Sequence, residues 1–166
     1  VMAFVKTNDK ELRSEKSPSK TRILKWNEIK HNGYRFVGLH IPSELEPYVS
    51  EETIKDFYDE VHDHYRVHKN EKVTYIGDMN ADCEDNINKK ELNRIIETGA
   101  IDAWLEKNPN SSNEEGYTTI YKTRIDYAIM TEAAYNNLIN IKNLQEFFKE
   151  GLSDHSAILI NLKDIE

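Results

Sequence analysis

The sequence predicts one α/β (α+β) domain over residues 1–166, built as a layered β-sandwich flanked by helices. Three observations predict this class. β-like runs and amphipathic helical segments alternate irregularly, an Asn-Gly turn joins two of the runs, and no internal repeat or low-complexity tract is present. At 166 residues, 31% of them charged, the chain is long enough to bury the core of a single unit.

The composition excludes several classes of protein. One cysteine, Cys83, cannot form an internal disulfide, and no apolar stretch approaches the roughly 20 residues that cross a bilayer. We therefore expect a reducing, cytoplasmic location. The net charge of −8 argues against a broad basic surface for nucleic acid, although a local basic rim or a bound metal ion can invert the field at a site.

The first part of the chain favours strands. Val1 to Lys6 is a short apolar run without the charged leader of a signal peptide, and it predicts a strand. The polar stretch Thr7 to Lys20 predicts an exposed loop. Two β-like runs, Thr21 to Ile29 and Tyr34 to Ile41, flank Lys30-His31-Asn32-Gly33, and Asn-Gly between such runs predicts a hairpin.

Two helices are predicted from caps and periodicity. Ser50 followed by Glu51 and Glu52 is typical of a helix start. The inner face of this helix consists of five apolar or aromatic residues at helical spacing: Ile54, Phe57, Tyr58, Val61 and Tyr65. The second helix is predicted from Asn88 to Thr98, and Gly99 is a suitable stop.

The remaining segments predict strands and one short helix. Val73 to Ile76 is a strand that ends at Gly77-Asp78, and Gly116 to Met130 indicates one or two strands. Thr131 to Ile139 favours a short helix, and Ala157 to Leu162 is a final apolar strand.

Four polar signatures lie beside these apolar runs. They are Gly38-Leu39-His40, Gly77-Asp78-Met79-Asn80, Arg124-Ile125-Asp126-Tyr127 and Ser153-Asp154-His155. Carboxylates, an amide and histidines are the groups that hold a hard divalent cation, orient a water molecule and stabilise charge on a phosphoryl group. Together the signatures indicate a metal-assisted site that cleaves phosphoesters.

Each signature also has a plainer interpretation. Asp78 and Asn80 follow a strand end, where α/β folds place their chemistry, but Asp and Asn also form turns by bonding their own backbone. His40 interrupts an apolar strand and is equally consistent with a hydrogen-bonded core histidine. Asp126 lies within an apolar run, where a carboxylate is costly unless paired, so we expect it to pair with His155.

Two further features favour structural interpretations. His64 and His68 have the i, i+4 spacing of a zinc pair, but the charged residues around them favour a solvated helix face. Cys83 has no basic or histidine neighbour in the sequence that would mark a nucleophile.

The order of the four signatures resembles that of the endonuclease/exonuclease/phosphatase superfamily, whose fold is that of pancreatic deoxyribonuclease and the abasic-site endonucleases. Gly99-Ala100-Ile101-Asp102-Ala103-Trp104 and Gly116-Tyr117-Thr118 are similar to family segments between the Gly-Asp and Arg-Ile-Asp motifs. The resemblance therefore covers nearly the whole chain.

The resemblance implies catalytic roles for five residues. His155 would act on the phosphate with the support of Asp126. Asp78 and Asn80 would orient the attacking water and the phosphate oxygens, and His40 would serve as a second acid or base. These roles agree with the chemistry of the side chains, since histidines neutralise a pentavalent phosphorane while carboxylates place the water.

The chain departs from the family pattern at its start. Family members begin with strands that carry an asparagine and a metal-binding glutamate, usually in a Gln-Glu pair, and no such segment precedes Val1. We therefore expect the second part of the fold, lacking its N-terminal strands and completed by an upstream segment or a second chain. With Asp154 as the one principal carboxylate ligand, Mg²⁺, or Mn²⁺ in its place, should bind weakly.

Three functions fit the motifs. The first is a magnesium-dependent phosphodiester hydrolase, foremost a nuclease, in which metal and histidine assist the attack of water on phosphate. The second is a catalytically inactive fragment or an assembly module on the same scaffold. The third is a phosphodiesterase or phosphatase acting on a small molecule or lipid, since an acidic chain offers little support for long nucleic-acid contacts.

Overall fold

A computed structural model describes the backbone of residues 13–15 and the whole of residues 25–163. The strands in chain order are β1 Arg13–Glu15, β2 Trp26–His31, β3 Tyr34–His40, β4 Lys72–Asp78, β5 Ile101–Asp102, β6 Asp126–Met130, β7 Leu138–Leu144 and β8 Ala157–Leu162. The helices are α1 Glu51–His68, α2 Ile87–Glu97, α3 Ala103–Lys107, α4 Asn113–Gly116, α5 Glu132–Tyr135 and α6 Glu146–Lys149.

The described strands form two sheets. The larger sheet has six strands in the order β1-β2-β3-β4-β6-β5, and the smaller sheet pairs β7 with β8. Neighbouring strands are antiparallel except β3 and β4, which are parallel and are connected by α1. The C-terminal ends of β3 and β4 therefore meet at one edge of the sheet, and β6 begins at the same edge.

The hairpin between β2 and β3 confirms the prediction from the Asn-Gly dipeptide. Asn32 and Gly33 both have positive φ angles, 47° and 69°, as a two-residue turn between twisted strands requires. The pairing runs in register from Trp26 opposite Leu39 to His31 opposite Tyr34.

Both predicted helices are confirmed. The Ser50 hydroxyl accepts the backbone N–H of Thr53 at the start of α1, and the five residues of the predicted inner face are all buried. α2 begins after Asn86, whose side chain caps it, and the chain leaves it at Gly99 with φ 103°.

Alternate residues of the larger sheet face two apolar clusters. On one face, Leu39 and Tyr75 pack in a cluster that includes Phe57 of α1. On the other face, Ala128 packs in a cluster with Ile141 of the smaller sheet. The helix layer and the two stacked sheets are the layered β-sandwich flanked by helices that the sequence predicts.

The prediction of strand for Gly116 to Met130 is right only in its second half. Residues 117–125 form a loop in which an isolated bridge joins Thr119 to His155, and β6 begins at Asp126. The hydroxyls of Thr119 and Thr123 bond each other, and the carbonyl of Thr123 accepts the N–H groups of residues 118 and 119. These local bonds satisfy groups that a strand would have paired with a neighbour.

The prediction of a helix for Thr131 to Ile139 is also partly wrong. The helix ends at Tyr135, and β7 begins at Leu138. The sequence does not predict β7 because Asn140 and Asn143 have low strand propensity, whereas packing of alternate residues against the larger sheet stabilises the strand.

The prediction of a loop for Thr7 to Lys20 is wrong at residues 13–15, which pair with β2 as β1. The rest of that stretch, the predicted strand Val1 to Lys6 and residues 21–24 of the run before the hairpin lie outside the described residues.

The charge pattern predicted that His64 lies on a solvated helix face, and this prediction is wrong. Its side chain is 9% exposed, and its Nε2 atom donates to the carboxylate of Glu28 over 3.2 Å. Its Nδ1 atom lies 2.8 Å from the hydroxyl of Tyr75. Both ring nitrogens are therefore used inside the fold, which leaves neither for the zinc pair with His68.

No helix within the described ranges is long and apolar enough to cross a bilayer.

Candidate active site

Three of the predicted site residues lie in one row across the larger sheet. His40 is the last residue of β3 and is in register with Asp78, the last residue of β4, which is in register with Asp126, the first residue of β6. Paired residues of neighbouring strands share a face, so the three side chains lie together on the face that carries Ala128 and the smaller sheet. The Nε2 atom of His40 is 3.8 Å from the Oδ2 atom of Asp78.

His155 joins this row from the segment before β8. Its Nδ1 atom is 2.9 Å from the Oδ2 atom of Asp126, so the predicted contact between imidazole and carboxylate is present. Its backbone N–H donates to the Ser153 hydroxyl, and it bridges to Thr119. A carboxylate on Nδ1 holds the ring in one orientation and keeps the proton there, which leaves Nε2 as the atom that can contact a substrate.

Thr118 connects the two members of this pair, and the sequence motifs did not single it out as a site residue. Its Oγ1 atom accepts the backbone N–H groups of Ile125 and Asp126 at 3.0 and 3.1 Å. Its carbonyl accepts the N–H of Ser156 at 2.8 Å, and the residue is fully buried. One threonine thus fixes the backbone next to Asp126 and the backbone next to His155.

Asp78 and Asn80 form the turn that the plainer interpretation predicted, and they remain at the site. The Oδ1 atom of Asp78 accepts the N–H of Asn80 at 2.9 Å, and Asn80 has φ 49°. The Asn80 side chain donates from Nδ2 to the carbonyl of Ile41. Gly77 has φ 140°, and a Cβ atom there would lie 2.1 Å from the carbonyl oxygen of Leu39, so the signature requires glycine at this position.

Asp78 is a carboxylate with a perturbed pKa. Burial of the side chain and the negative charge of Asp126 raise its pKa to about 6. At neutral pH the group is ionised, and it takes up a proton under mildly acidic conditions.

The two histidines have opposite perturbations. The hydrogen bond to Asp126 raises the pKa of His155 to about 9, although burial opposes the shift. Burial and the positive charge of Lys25 lower the pKa of His40. At neutral pH the site therefore holds an imidazolium at His155 and a neutral imidazole at His40. The side chain of His40 is 42% exposed, so it is not a core histidine.

Lys25 is a second residue that the motifs did not identify. Its carbonyl accepts the backbone N–H of His40 at 2.9 Å, which places Lys25 beside the row, directly before β2. Its ammonium group lies 3.1 Å from the carboxylate of Glu46, which in turn accepts the backbone N–H of Ser43. Only the fold brings Lys25 next to His40, because the two residues are separated by the whole β2–β3 hairpin.

Arg124, from the Arg-Ile-Asp-Tyr signature, supports the loop before Asp126. Its guanidinium forms two hydrogen bonds to Asp102, of 2.8 and 2.6 Å. It also lies over the rings of Tyr127 and Trp104, 4.2 and 5.3 Å from their centroids. Two of the three guanidinium nitrogens of Arg124 are therefore engaged by Asp102, and the residue stabilises the loop.

A magnesium ion would find an incomplete ligand set in the described part of the chain. Asp154 is exposed beside His155, but no group of three or more His, Cys, Asp or Glu side chains suited to a metal occurs among the described residues. Mg²⁺ often keeps several water ligands and uses one or two carboxylates, so Asp154 can supply one contact. The described residues alone therefore do not complete a metal centre.

The arrangement combines a hydrogen-bond donor of positive charge with two groups that can accept a proton. The His155 imidazolium can neutralise a phosphate oxygen, and Asp78 and His40 are both unprotonated at neutral pH. These are the elements needed for the attack of water on a phosphoester.

Several solved structures have the same fold, although neither a protein-family model nor a curated protein matches the chain. A 3' phosphatase from Neisseria, bound to a product DNA hairpin, is 14% identical with a TM-score of 0.70, over 93% of this chain and 71% of that one. An AP endonuclease from Archaeoglobus fulgidus is 13% identical with a TM-score of 0.74, over 89% and 68%. An AP endonuclease from Leishmania major is 10% identical with a TM-score of 0.69, over 92% and 61%. The chain thus has the fold of these phosphatase and AP endonuclease structures, as the resemblance of its four signatures predicted.

Proposed function

We propose that this chain carries the catalytic groups of a magnesium-dependent phosphodiester hydrolase that cleaves nucleic acid. The observation that carries the proposal is the row of His40, Asp78 and Asp126 across three strands, with His155 hydrogen-bonded to its end. The similar solved structures support the choice of nucleic acid, because they are a 3' phosphatase with bound product DNA and two AP endonucleases.

In the proposed reaction, water attacks phosphorus while the ester P–O bond breaks, and the departing oxygen leaves with the bonding electrons and takes up a proton from solvent. Asp78 and Asn80 orient the water and the phosphate oxygens, and the neutral imidazole of His40 accepts a proton. The His155 imidazolium, oriented by Asp126, donates a hydrogen bond to a phosphate oxygen as charge develops there.

The proposed cofactor is Mg²⁺, which Mn²⁺ can replace, with Asp154 as the one ligand proposed from this chain. When bound, the ion would supply Lewis-acid charge to the phosphate. Since the described residues offer no three-ligand group, we expect weak binding of the ion to the chain alone.

The test is hydrolysis by the full chain with plasmid DNA and with bis(p-nitrophenyl) phosphate, each with Mg²⁺ and with a chelator. His155→Ala should lower the rate on both substrates by at least about a hundredfold, because general acid–base and electrostatic catalysis contribute that much. His68→Ala is the matched control, since His68 contacts Glu71 near the opposite end of β4. Wild-type activity that persists in His155→Ala would remove His155 from the mechanism.

The incomplete set of metal-ligating side chains among the described residues favours one second candidate function. In this alternative the chain is an inactive scaffold that binds nucleic acid without cleaving it. A folded chain that hydrolyses neither substrate with Mg²⁺ or Mn²⁺, yet retains binding to nucleic acid, would support this candidate and contradict the hydrolase.

A further inference from the structure

Exposed apolar side chains lie on the loop next to His155. Ile120 is 48% exposed and Tyr121 is 75% exposed, and Lys122 beside them is exposed as well. Large apolar groups that are displayed together to water beside a polar site are typical of binding surfaces. We call residues 119–123 the finger.

The finger is held in one shape by its own hydrogen bonds. The Thr119 hydroxyl accepts the N–H groups of Tyr121 and Thr123 at 3.2 and 3.4 Å, and it lies 2.7 Å from the Thr123 hydroxyl. The Thr119 carbonyl accepts the N–H of Lys122, which has φ 59°. A prearranged turn lowers the entropic cost of binding, because its backbone is already ordered before a ligand arrives.

The finger is also attached to the candidate active site. The N–H of Ile120 donates to the carbonyl of Asp154 at 3.1 Å, and Thr119 bridges to His155. The backbone of the finger is therefore adjacent to His155, and Tyr121 and Lys122 follow the bridging residue Thr119 by two and three positions in the chain.

The charge of the chain limits how it can hold nucleic acid. With a net charge of −8, the chain cannot rely on many phosphate contacts, which usually dominate affinity. Stacking of a base on an aromatic ring is the other main source of affinity, and a nearby cation strengthens it. Bases inside a duplex have both faces covered by their neighbours, so stacking on the finger favours an unpaired base.

We propose that the finger binds a nucleotide next to the scissile phosphate, with an unpaired base stacked on Tyr121 and the adjoining phosphate paired with Lys122. This inference rests on the proposed function and narrows its substrate to nucleic acid with unpaired bases. The two-residue apolar tip and the negative net charge favour a base over a lipid surface as the occupant.

Binding without cleavage tests the proposal. Fluorescence anisotropy in a chelating buffer at low salt compares a labelled 12-nucleotide single strand with the same sequence as a duplex, using the full chain. Tyr121→Ala should weaken single-strand binding about tenfold, whereas Tyr121→Phe, which keeps the ring, should stay within about twofold. Lys122→Ala should lower the slope of log affinity against log salt by about 0.7. Val67→Ala, an exposed apolar residue on α1, is the control and should change nothing.

Three results would contradict the proposed role of the finger: no measurable single-strand binding by the wild type, equal binding of single strand and duplex, or unchanged binding by Tyr121→Ala. Tyr121-dependent binding to phosphatidylcholine–phosphatidylserine vesicles in place of oligonucleotides would also overturn it and favour a lipid. The proposed catalysis is tested separately, since it requires hydrolysis that His155→Ala lowers by at least about a hundredfold. Binding that depends on Tyr121 but is not accompanied by hydrolysis would contradict the proposed hydrolase activity and support the nucleotide-binding role of the finger.

Discussion

At the scale of single residues, the site is stabilised by hydrogen bonds but carries charge that opposes folding. Asp78 is largely buried beside Asp126, and its ionised form is disfavoured by both burial and repulsion. Such groups are retained where the chemistry requires them, at a cost in stability. The cost can be measured because asparagine preserves the Oδ1 acceptor that holds the turn to Asn80.

Asp78→Asn should make the metal-free protein more stable and less active. The rise of the Asp78 pKa from 3.8 to about 6 corresponds to roughly 3 kcal/mol of unfavourable free energy when the group is ionised. Between these two pH values the folded state binds more protons than the unfolded state, so this group lowers wild-type stability as the pH rises. Urea denaturation should show a higher free energy of unfolding for Asp78→Asn than for wild type above about pH 6, and little difference below about pH 4.

The same substitution should lower the rate of phosphodiester hydrolysis, and the wild-type rate should fall as the pH drops through about 6. Asp63→Asn on α1 is the control because Asp63 is 75% exposed, and it should change neither property. An Asp78→Asn protein that is less stable at pH 8 would contradict the proposed electrostatic cost.

At the scale of elements, α1 is anchored to the sheet by a buried polar cluster as well as by its apolar face. Glu28 of β2 is 4% exposed, and it accepts hydrogen bonds from Arg35 of β3 and from His64 of α1. Burial alone would raise the pKa of Glu28, but the hydrogen bond from His64 and the charge of Arg35 lower it. The helix is thus fixed in rotation by a contact that its apolar periodicity does not specify.

Glu28→Ala should destabilise the fold, by about 3 kcal/mol near neutral pH, because it leaves Arg35 buried without this partner. A lowered carboxylate pKa contributes stability above the unfolded value, and that contribution is lost as the pH falls through the folded pKa. The difference in the free energy of unfolding between Glu28→Ala and wild type should therefore become smaller as the pH falls. Thermal or urea unfolding measures this difference. Arg66→Ala, which breaks an exposed pair with Asp63, should cost less than about 1 kcal/mol. Equal effects of the two substitutions would refute the buried role of Glu28.

At the scale of the whole molecule, the site depends on segments that are distant in the chain. Asp126 and His155 are 29 residues apart, and β7 and α6 lie between them. The loop before β6 carries Thr118, which bonds to the backbone on both sides of this pair. Neither sheet alone positions the His155 imidazole against the row of His40, Asp78 and Asp126.

Thr118→Val should damage both stability and activity, although the Thr118 side chain is fully buried. Valine has a similar shape but leaves the N–H groups of Ile125 and Asp126 without their acceptor, which should cost about 2 kcal/mol. Urea denaturation and kcat/KM for a phosphodiester measure the two effects. Thr118→Ser keeps the hydroxyl and should recover most of both, so a serine variant as impaired as valine would show that the methyl group matters instead.

Local chemistry was enough to predict much of the fold. Asn32-Gly33 specified the hairpin, and Ser50 and the spacing of the apolar residues after it specified α1. Four residues of the signatures lie together in the structure: His40, Asp78, Asp126 and His155. The prediction failed where threonine hydroxyls replaced strand pairing around Thr119, and where β7 formed despite its asparagines. Propensity describes a residue and its neighbours, so it cannot anticipate a partner supplied by another segment.

The sequence by itself determined the turn and helix ends, the alternation of strands and the chemical types gathered in the signatures, because these depend on backbone preference and periodicity over a few residues. Only the tertiary structure decided that His40, Asp78 and Asp126 share one row, that His64 is buried and that Lys25 and Thr118 adjoin the site. The physical reason is strand register: a shift of one residue would turn these side chains to the opposite face, and register is set by packing across the whole domain.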